Sequence, residues 1–230
     1  MSNFLASSSL FAVVLTLAAY EVSRLLQKKL KWAILNPILV GAILVGVVLA
    51  VARIPNDDYQ EGCELINWLL TPATVCLALP LHAQVKLLEK DWRAIAAGIV
   101  GGTLTSLVCV WGMSRLFVLE ETLYCSMLPK SVTTAMGMAI SESGGGIAAV
   151  TTAAIILTGI IGGIVGPSLI KLLHLTHPVA QGVAFGTAAH VVGTAKAAEF
   201  GETAEAVSSL ALVVAGVLTA ILFPVFTALP

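Results

Sequence analysis

Charge is what this sequence has least of: 11% of its 230 residues are Asp, Glu, Lys or Arg, against 58% hydrophobic, with a mean hydropathy of +0.97. Soluble domains carry about a quarter of their residues as charges, so a soluble domain is excluded; it would have nothing to cover its surface. The formal net charge of -1 offers no basic face to a phosphate backbone, which excludes nucleic acid as a partner. Four cysteines, Cys63, Cys76, Cys109 and Cys125, show no CxxC pairing, and three lie in apolar runs. They read as small hydrophobes rather than disulfide partners or metal ligands, and neither a metal nor a cofactor is expected. GxSxG, HExxH, a Walker loop and a glycine-rich dinucleotide fingerprint are all missing. Scattered Ser, His and acidic residues do not make a triad, so no enzyme is expected.

What is present is a series of long apolar runs. Cut into spans of about 20 residues, they give an all-α polytopic membrane protein with about seven or eight membrane segments, read as one domain over residues 1–230. Met1 to Ser9 lacks the basic n-region and cleavage site of a signal peptide, so the first span, Leu5 to Leu26, should be retained. Arg24, Lys28, Lys29 and Lys31 follow it. The second span, Trp32 to Ala52, is followed by Asp57, Asp58, Glu61 and Glu64, and the third, Glu64 to Leu81, by Lys86, Lys90 and Arg93. The positive-inside rule then puts the N-terminus on the periplasmic side of a bacterial inner membrane. The fourth span, Ala94 to Phe117, carries Gly98 and Gly102 on a face suited to close helix packing. A glycine-rich run from Ile147 to Leu173 and a last span from Ala206 to Ala228 complete the set.

Two polar stretches interrupt this pattern. The first, Leu128 to Gly146, holds Pro129, Lys130, Ser131, Thr133, Thr134, Glu142 and a glycine triplet. Proline removes a backbone donor and glycine loosens the far end, which predicts a broken or re-entrant helix. Irregular backbone survives in lipid only where protein or trapped water satisfies it, and discontinuous helices near the midplane are how many secondary transporters bind small ions. The second stretch, Phe185 to Glu202, echoes the first: Val132-Thr133-Thr134-Ala135 lines up loosely with Val192-Gly193-Thr194-Ala195, an internal repeat if the structure follows. If residues 128–146 fully span, the loop with Lys171, His174 and His177 is outside; if they form a hairpin, it is inside, and its lysine favours the hairpin.

A charge at membrane depth costs about 2.5 to 3.5 kcal/mol on the lenient insertion scale, so each one needs a reason. Lys130 either snorkels or pairs with Glu142, or it is part of a site. Lys196 and Glu199, spaced i, i+3, either neutralise each other or contribute to one. His190 reads as an interior hydrogen-bonded histidine or a proton relay, and Glu142 carries a coupled proton if burial raises its pKa. Asn36 before Pro37 is a helix cap or a support for the site, and Thr71 and Thr74 flank Pro72 at a kink. The expected substrate-binding set is Lys130, Ser131, Thr133, Thr134, His190, Thr194 and Lys196, with Lys130 near a half-helix start. Asn36, Thr71, Thr74, Glu142 and Glu199 are expected to support or couple.

Several motifs carry a resemblance: Asn36-Pro37, Thr71-Pro72-Ala73-Thr74-Val75 with Ala78-Leu79-Pro80-Leu81, Leu128-Pro129-Lys130-Ser131-Val132-Thr133-Thr134, Ser141-Glu142-Ser143-Gly144-Gly145, Thr158-Gly159-Ile160, and Ala188-Ala189-His190 with Gly193-Thr194-Ala195-Lys196-Ala197. In this order they cover nearly the whole chain, which resembles the LrgB/CidB family of bacterial inner-membrane proteins, with the plant plastid glycolate/glycerate transporter as a relative. The family often has proline after Thr133-Thr134, where this chain has Ala135. The resemblance implies movement of small carboxylates such as glycolate, glycerate or pyruvate, with a small LrgA/CidA-like membrane partner. It also implies an alternative, antiholin-like control of murein hydrolase export and cell lysis. Holins are much smaller, and a chain of this length with two broken polar segments has the equipment of a carrier. Besides the lipid bilayer and the carboxylate, a second copy of the chain is an expected partner.

Overall fold

The computed structural model of the chain describes residues 8–30, 37–76, 82 and 89–229, and every regular element among them is helical. They fall into two compact units, residues 1–77 and 78–230. The helices α1 (Ser9–Leu30), α5 (Trp92–Leu116), α8 (Ala148–Leu172) and α10 (Glu202–Thr227) are each long and apolar enough to cross a membrane. Their outward faces carry bare aliphatic side chains, with Leu10 73%, Ile161 58% and Ile221 64% exposed. In water such surface would be a liability, and in lipid it is the solvent-matched face. The chain is a multi-pass helical membrane protein.

The first unit holds α1, α2 (Pro37–Ala52), α3 (Asn56–Gly62) and α4 (Glu64–Cys76). Gly41 of α2 lies 3.6 Å, measured from where a Cβ would stand, from Tyr20 and Ser23 of α1. The acidic segment expected as a plain loop folds as α3, with Asp57 and Asp58 in its first turn, where the positive end of the helix dipole favours them. Tyr59 of α3 bonds to Thr16 of α1 at 2.6 Å. Pro72 lies inside α4 as expected. Asn36, the side chains of Thr71 and Thr74, and the expected end of the third span at residues 77–81 lie outside the described residues.

The second unit holds α5, α6 (Glu121–Met127), α7 (Thr134–Ser143), α8, α9 (Pro178–Ala197), a 3-10 turn Ala198–Phe200, and α10. Two of its segments are hairpins. In the first, α6 runs in from the end of α5 and α7 runs back. A Cβ on Gly144 would stand 3.7 Å from the Cys125 sulfur, and the Ile147 amide donates to Ser126 Oγ at 2.7 Å, so the chain between Ser126 and Ile147 turns back on itself. In the second, α9 reverses inside its own span at His190, whose φ of 43° and ψ of -130° are not helical. Gly193 consequently packs against the Phe185 carbonyl; eight residues along a straight helix would separate them by about 12 Å. Phe200 closes the second hairpin on Phe185, ring centroids 5.4 Å apart.

Glycine contacts fix how these pieces run. Gly98 and Gly102 of α5 face Val183 and Thr187 of α9, and Gly182 and Gly186 of α9 face Ala204 and Ser208 of α10. Both pairs of numbers rise together, so α5, the first limb of α9 and α10 run parallel. In α8 the numbers fall as those of α9 rise: Gly166 faces Phe185, Gly162 Ala189 and Gly159 His190, so α8 is antiparallel. The first hairpin opens where α5 ends, and the second opens where α8 ends. An ordered pair, long helix then hairpin, is therefore present twice in opposite directions, α5 with α6–α7 and α8 with α9. The fourth span, the glycine-rich run and the last span all have the expected extents within a few residues.

Candidate functional site

The two hairpin tips lie deep in the second unit, and the polar residues of both sequence stretches collect there. At the first tip the segment 128–133 is not helical. α7 begins at Thr134, with Thr133 as its N-cap accepting from the Met136 amide at 3.4 Å. Lys130 therefore stands in the turn before the helix and not in its first turn. Its Nζ donates to Ser131 Oγ at 3.2 Å, and Ser131, buried, shares a 3.0 Å hydroxyl contact with Ser106 of α5. Lys130 is half-buried and has no acidic partner; the ion pairs among the described residues are Arg24 with Glu21 and Lys196 with Glu199. Glu142 is exposed near the end of α7.

At the second tip His190 is 3% exposed. Its Nε2 lies 2.8 Å from the Ile155 carbonyl of α8, and since a carbonyl only accepts, Nε2 carries the hydrogen. Nδ1 makes no hydrogen bond among the described residues. The ring fits because residue 159 is glycine: a Cβ there would stand 2.6 Å from His190 Cε1. Thr194 donates to the His190 carbonyl at 3.1 Å and meets Ser208 of α10 at 2.9 Å. These contacts over-determine a backbone conformation that a non-glycine residue rarely holds.

The tips are neighbours through α8: the Ile155 side chain packs on Gly137 of α7, and the Ile155 carbonyl accepts from His190. Lys130, Ser131 and Ser106 thus form one polar group and His190, Thr194 and Ser208 the next, with the N-terminus of α7 and of the return limb of α9 both starting at this level. Helix N-termini offer unpaired amides and a partial positive charge, so the arrangement can hold a small anion. Lys196 and Glu199 stand apart as a 2.7 Å pair with side chains 32% and 62% exposed, and Thr133 uses its hydroxyl as a cap.

Two of these side chains, Ser106 and Ser208, are not among the residues expected at the site from the sequence. Their only signal is a hydroxyl in an apolar span, which membrane helices also use for packing.

Residues 16–229 match the LrgB-like family. Among curated proteins, an antiholin-like protein LrgB of Bacillus mycoides (strain KBAB4) is 38% identical, covering 94% of each chain. Proteins of the same name from Bacillus cereus (strain B4264) and Bacillus anthracis (strain CDC 684 / NRRL 3495) are 37% identical over 94% of each chain. No solved structure matches.

Proposed function

The chain belongs to the LrgB-like family, and from that premise we propose that it is a secondary transporter of small monocarboxylates such as glycolate, glycerate or pyruvate. The observation that carries this reading is Lys130, a half-buried cation at the tip of a hairpin that, among the described residues, has a hydroxyl as its only hydrogen-bond partner and no acid in an ion pair with it. An unpaired intramembrane charge is rarely retained without use, and a carboxylate is the complement that would neutralise it. In the proposed site the carboxylate meets Lys130, Ser131 and the α7 N-terminus, while His190 Nδ1 and Thr194 read the hydroxyl or keto group. Both hairpins are proposed to be re-entrant from opposite membrane faces and to form an inverted repeat, the arrangement in which many carriers hold substrate at the midplane. The loop charges favour a periplasmic N-terminus in a bacterial inner membrane.

The relatives' name favours a second reading, an antiholin-like protein that modulates murein hydrolase export and lysis, with an LrgA/CidA-like partner. Uptake into liposomes containing the purified protein separates the two. Saturable uptake of a labelled C2 or C3 carboxylate, competed by its unlabelled analogues, supports the carrier; leakage of solutes irrespective of charge or shape supports a pore.

A further inference from the structure

Far from the hairpin tips, where α5 and α10 both end, a cavity of about 340 Å³ opens in the second unit. Arg115, from the last turn of α5, and Glu121, from the first turn of α6, line it together, yet no ion pair joins them. Arg115 gives one N–H to the Leu229 carbonyl at 3.4 Å and lies 5.9 Å from the Trp111 ring centroid, so most of its five donors are uncommitted. The remaining polar side chains of the lining are the Trp111 indole, whose buried N–H has no partner among the described residues, and hydroxyls whose protons are already placed. Ser114 donates to the Trp111 carbonyl at 2.7 Å, Tyr124 to Phe226 at 2.9 Å and Thr227 to Pro224 at 3.1 Å. Each oxygen is left as an acceptor.

The cavity thus holds a cation and an anion apart, with acceptors between them, which is the complement of a ligand bearing an anionic group and an N–H-rich cation. Its place narrows the class. It lies at the ends of two helices long enough to cross a membrane, the level of lipid headgroups. Beside it Leu116, Phe117 and Val118 are 75%, 62% and 87% exposed, an apolar flank on which acyl chains can lie.

We propose that this cavity binds the phosphoethanolamine zwitterion, its phosphate on Arg115 and its primary ammonium on Glu121 and the hydroxyl oxygens. A choline headgroup has no N–H to donate and a glycerol headgroup has no cation, so both are discriminated against.

The test uses the full chain in detergent. Binding of phosphatidylethanolamine, phosphatidylcholine and phosphatidylglycerol with identical acyl chains is measured by native mass spectrometry, with phosphoethanolamine itself as a competitor. The ethanolamine lipid should bind about tenfold more tightly than the other two, the size of one charge-assisted hydrogen bond. Arg115→Ala and Glu121→Gln should each erase that preference. Competition by phosphoethanolamine identifies the free zwitterion as sufficient; a preference that phosphoethanolamine cannot displace identifies the lipid as the source. Equal binding of the three lipids overturns the proposal, as does a preference that survives both substitutions. Glu121 is exposed and its change to Gln is isosteric, so this variant remains informative if Arg115→Ala does not fold.

Discussion

Lys130 has a cost that its neighbours do not meet. Burying an ammonium against one hydroxyl at 3.2 Å leaves most of its lost hydration uncompensated, so removing the charge should not harm the fold. Lys130→Ala is predicted to cut carboxylate uptake by at least about 30-fold, the scale of losing one desolvated charge contact, while thermal unfolding in detergent stays level or moves up. A folded Lys130→Ala protein with normal uptake would place the carboxylate elsewhere. Lys196→Ala makes the contrast: its pair with Glu199 is partly exposed, such pairs contribute about 0 to 1 kcal/mol, and uptake should stay within about twofold. Thr194 is structural in a different way. Thr194→Val would strand the Ser208 hydroxyl and the His190 carbonyl in a buried place, costing about 1 to 3 kcal/mol. Adding Ser208→Ala to it should cost less than the sum of the two single changes, a coupling read from thermal unfolding of all three variants.

At the scale of elements, α8 and α9 meet through glycines, and their spacing is graded. A Cβ at Gly162 would stand 2.5 Å from the Ala189 Cβ, and one at Gly163 would stand 3.3 Å from Val192 Cγ1. Gly162→Ala should therefore lower folded yield and thermal stability more than Gly163→Ala, overpacking of this kind costing about 1 to 3 kcal/mol. Gly163→Leu, which cannot be absorbed by a few tenths of an ångström, should lower both. If Gly163→Leu is as stable as the parent chain, the interface is looser than these distances imply. Close packing of this run was legible as overlapping Gly159/Gly163 and Gly162/Gly166 pairs; its partner, the hairpin carrying His190, was not.

For the whole molecule, the proposed re-entrant reading makes a prediction about faces. In a background with Cys63, Cys76, Cys109 and Cys125 replaced, single cysteines at Glu120 and Ser143 should react with an impermeant thiol reagent from one side of the membrane. Cysteines at Thr176 and Glu199 should react from the other. All four positions are exposed, so access is set by the membrane and not by burial. Labelling of Glu120→Cys and Ser143→Cys from opposite sides would mean that residues 121–147 cross the bilayer. The matching order of long helix and hairpin, α5 with α6–α7 and α8 with α9, is what supports the repeat; the sequence offered only the loose Val132 to Val192 alignment.

Composition alone determined that this is a helical membrane protein, because an apolar chain has no other way to satisfy its backbone in lipid than helices or a closed barrel, and long uniform runs favour helices. Local chemistry also determined the first break, since Pro129 and the Gly144-Gly145-Gly146 triplet disrupt a helix wherever they stand. The family, too, was legible in the motifs; its relatives' antiholin-like name, by contrast, favours the alternative to the transport that the site's geometry suggests. Only the tertiary structure decided the second break. Ala188-Ala189-His190-Val191-Val192 contains neither proline nor glycine, and a positive φ at histidine is locally unfavourable. The reversal stands because Ile155 supplies a carbonyl, Gly159 leaves room for the ring, and Thr194 with Ser208 holds the His190 carbonyl. Ile155 is 35 residues from His190 and Ser208 is 14 from Thr194, and contacts at that range have no local signature in a single sequence.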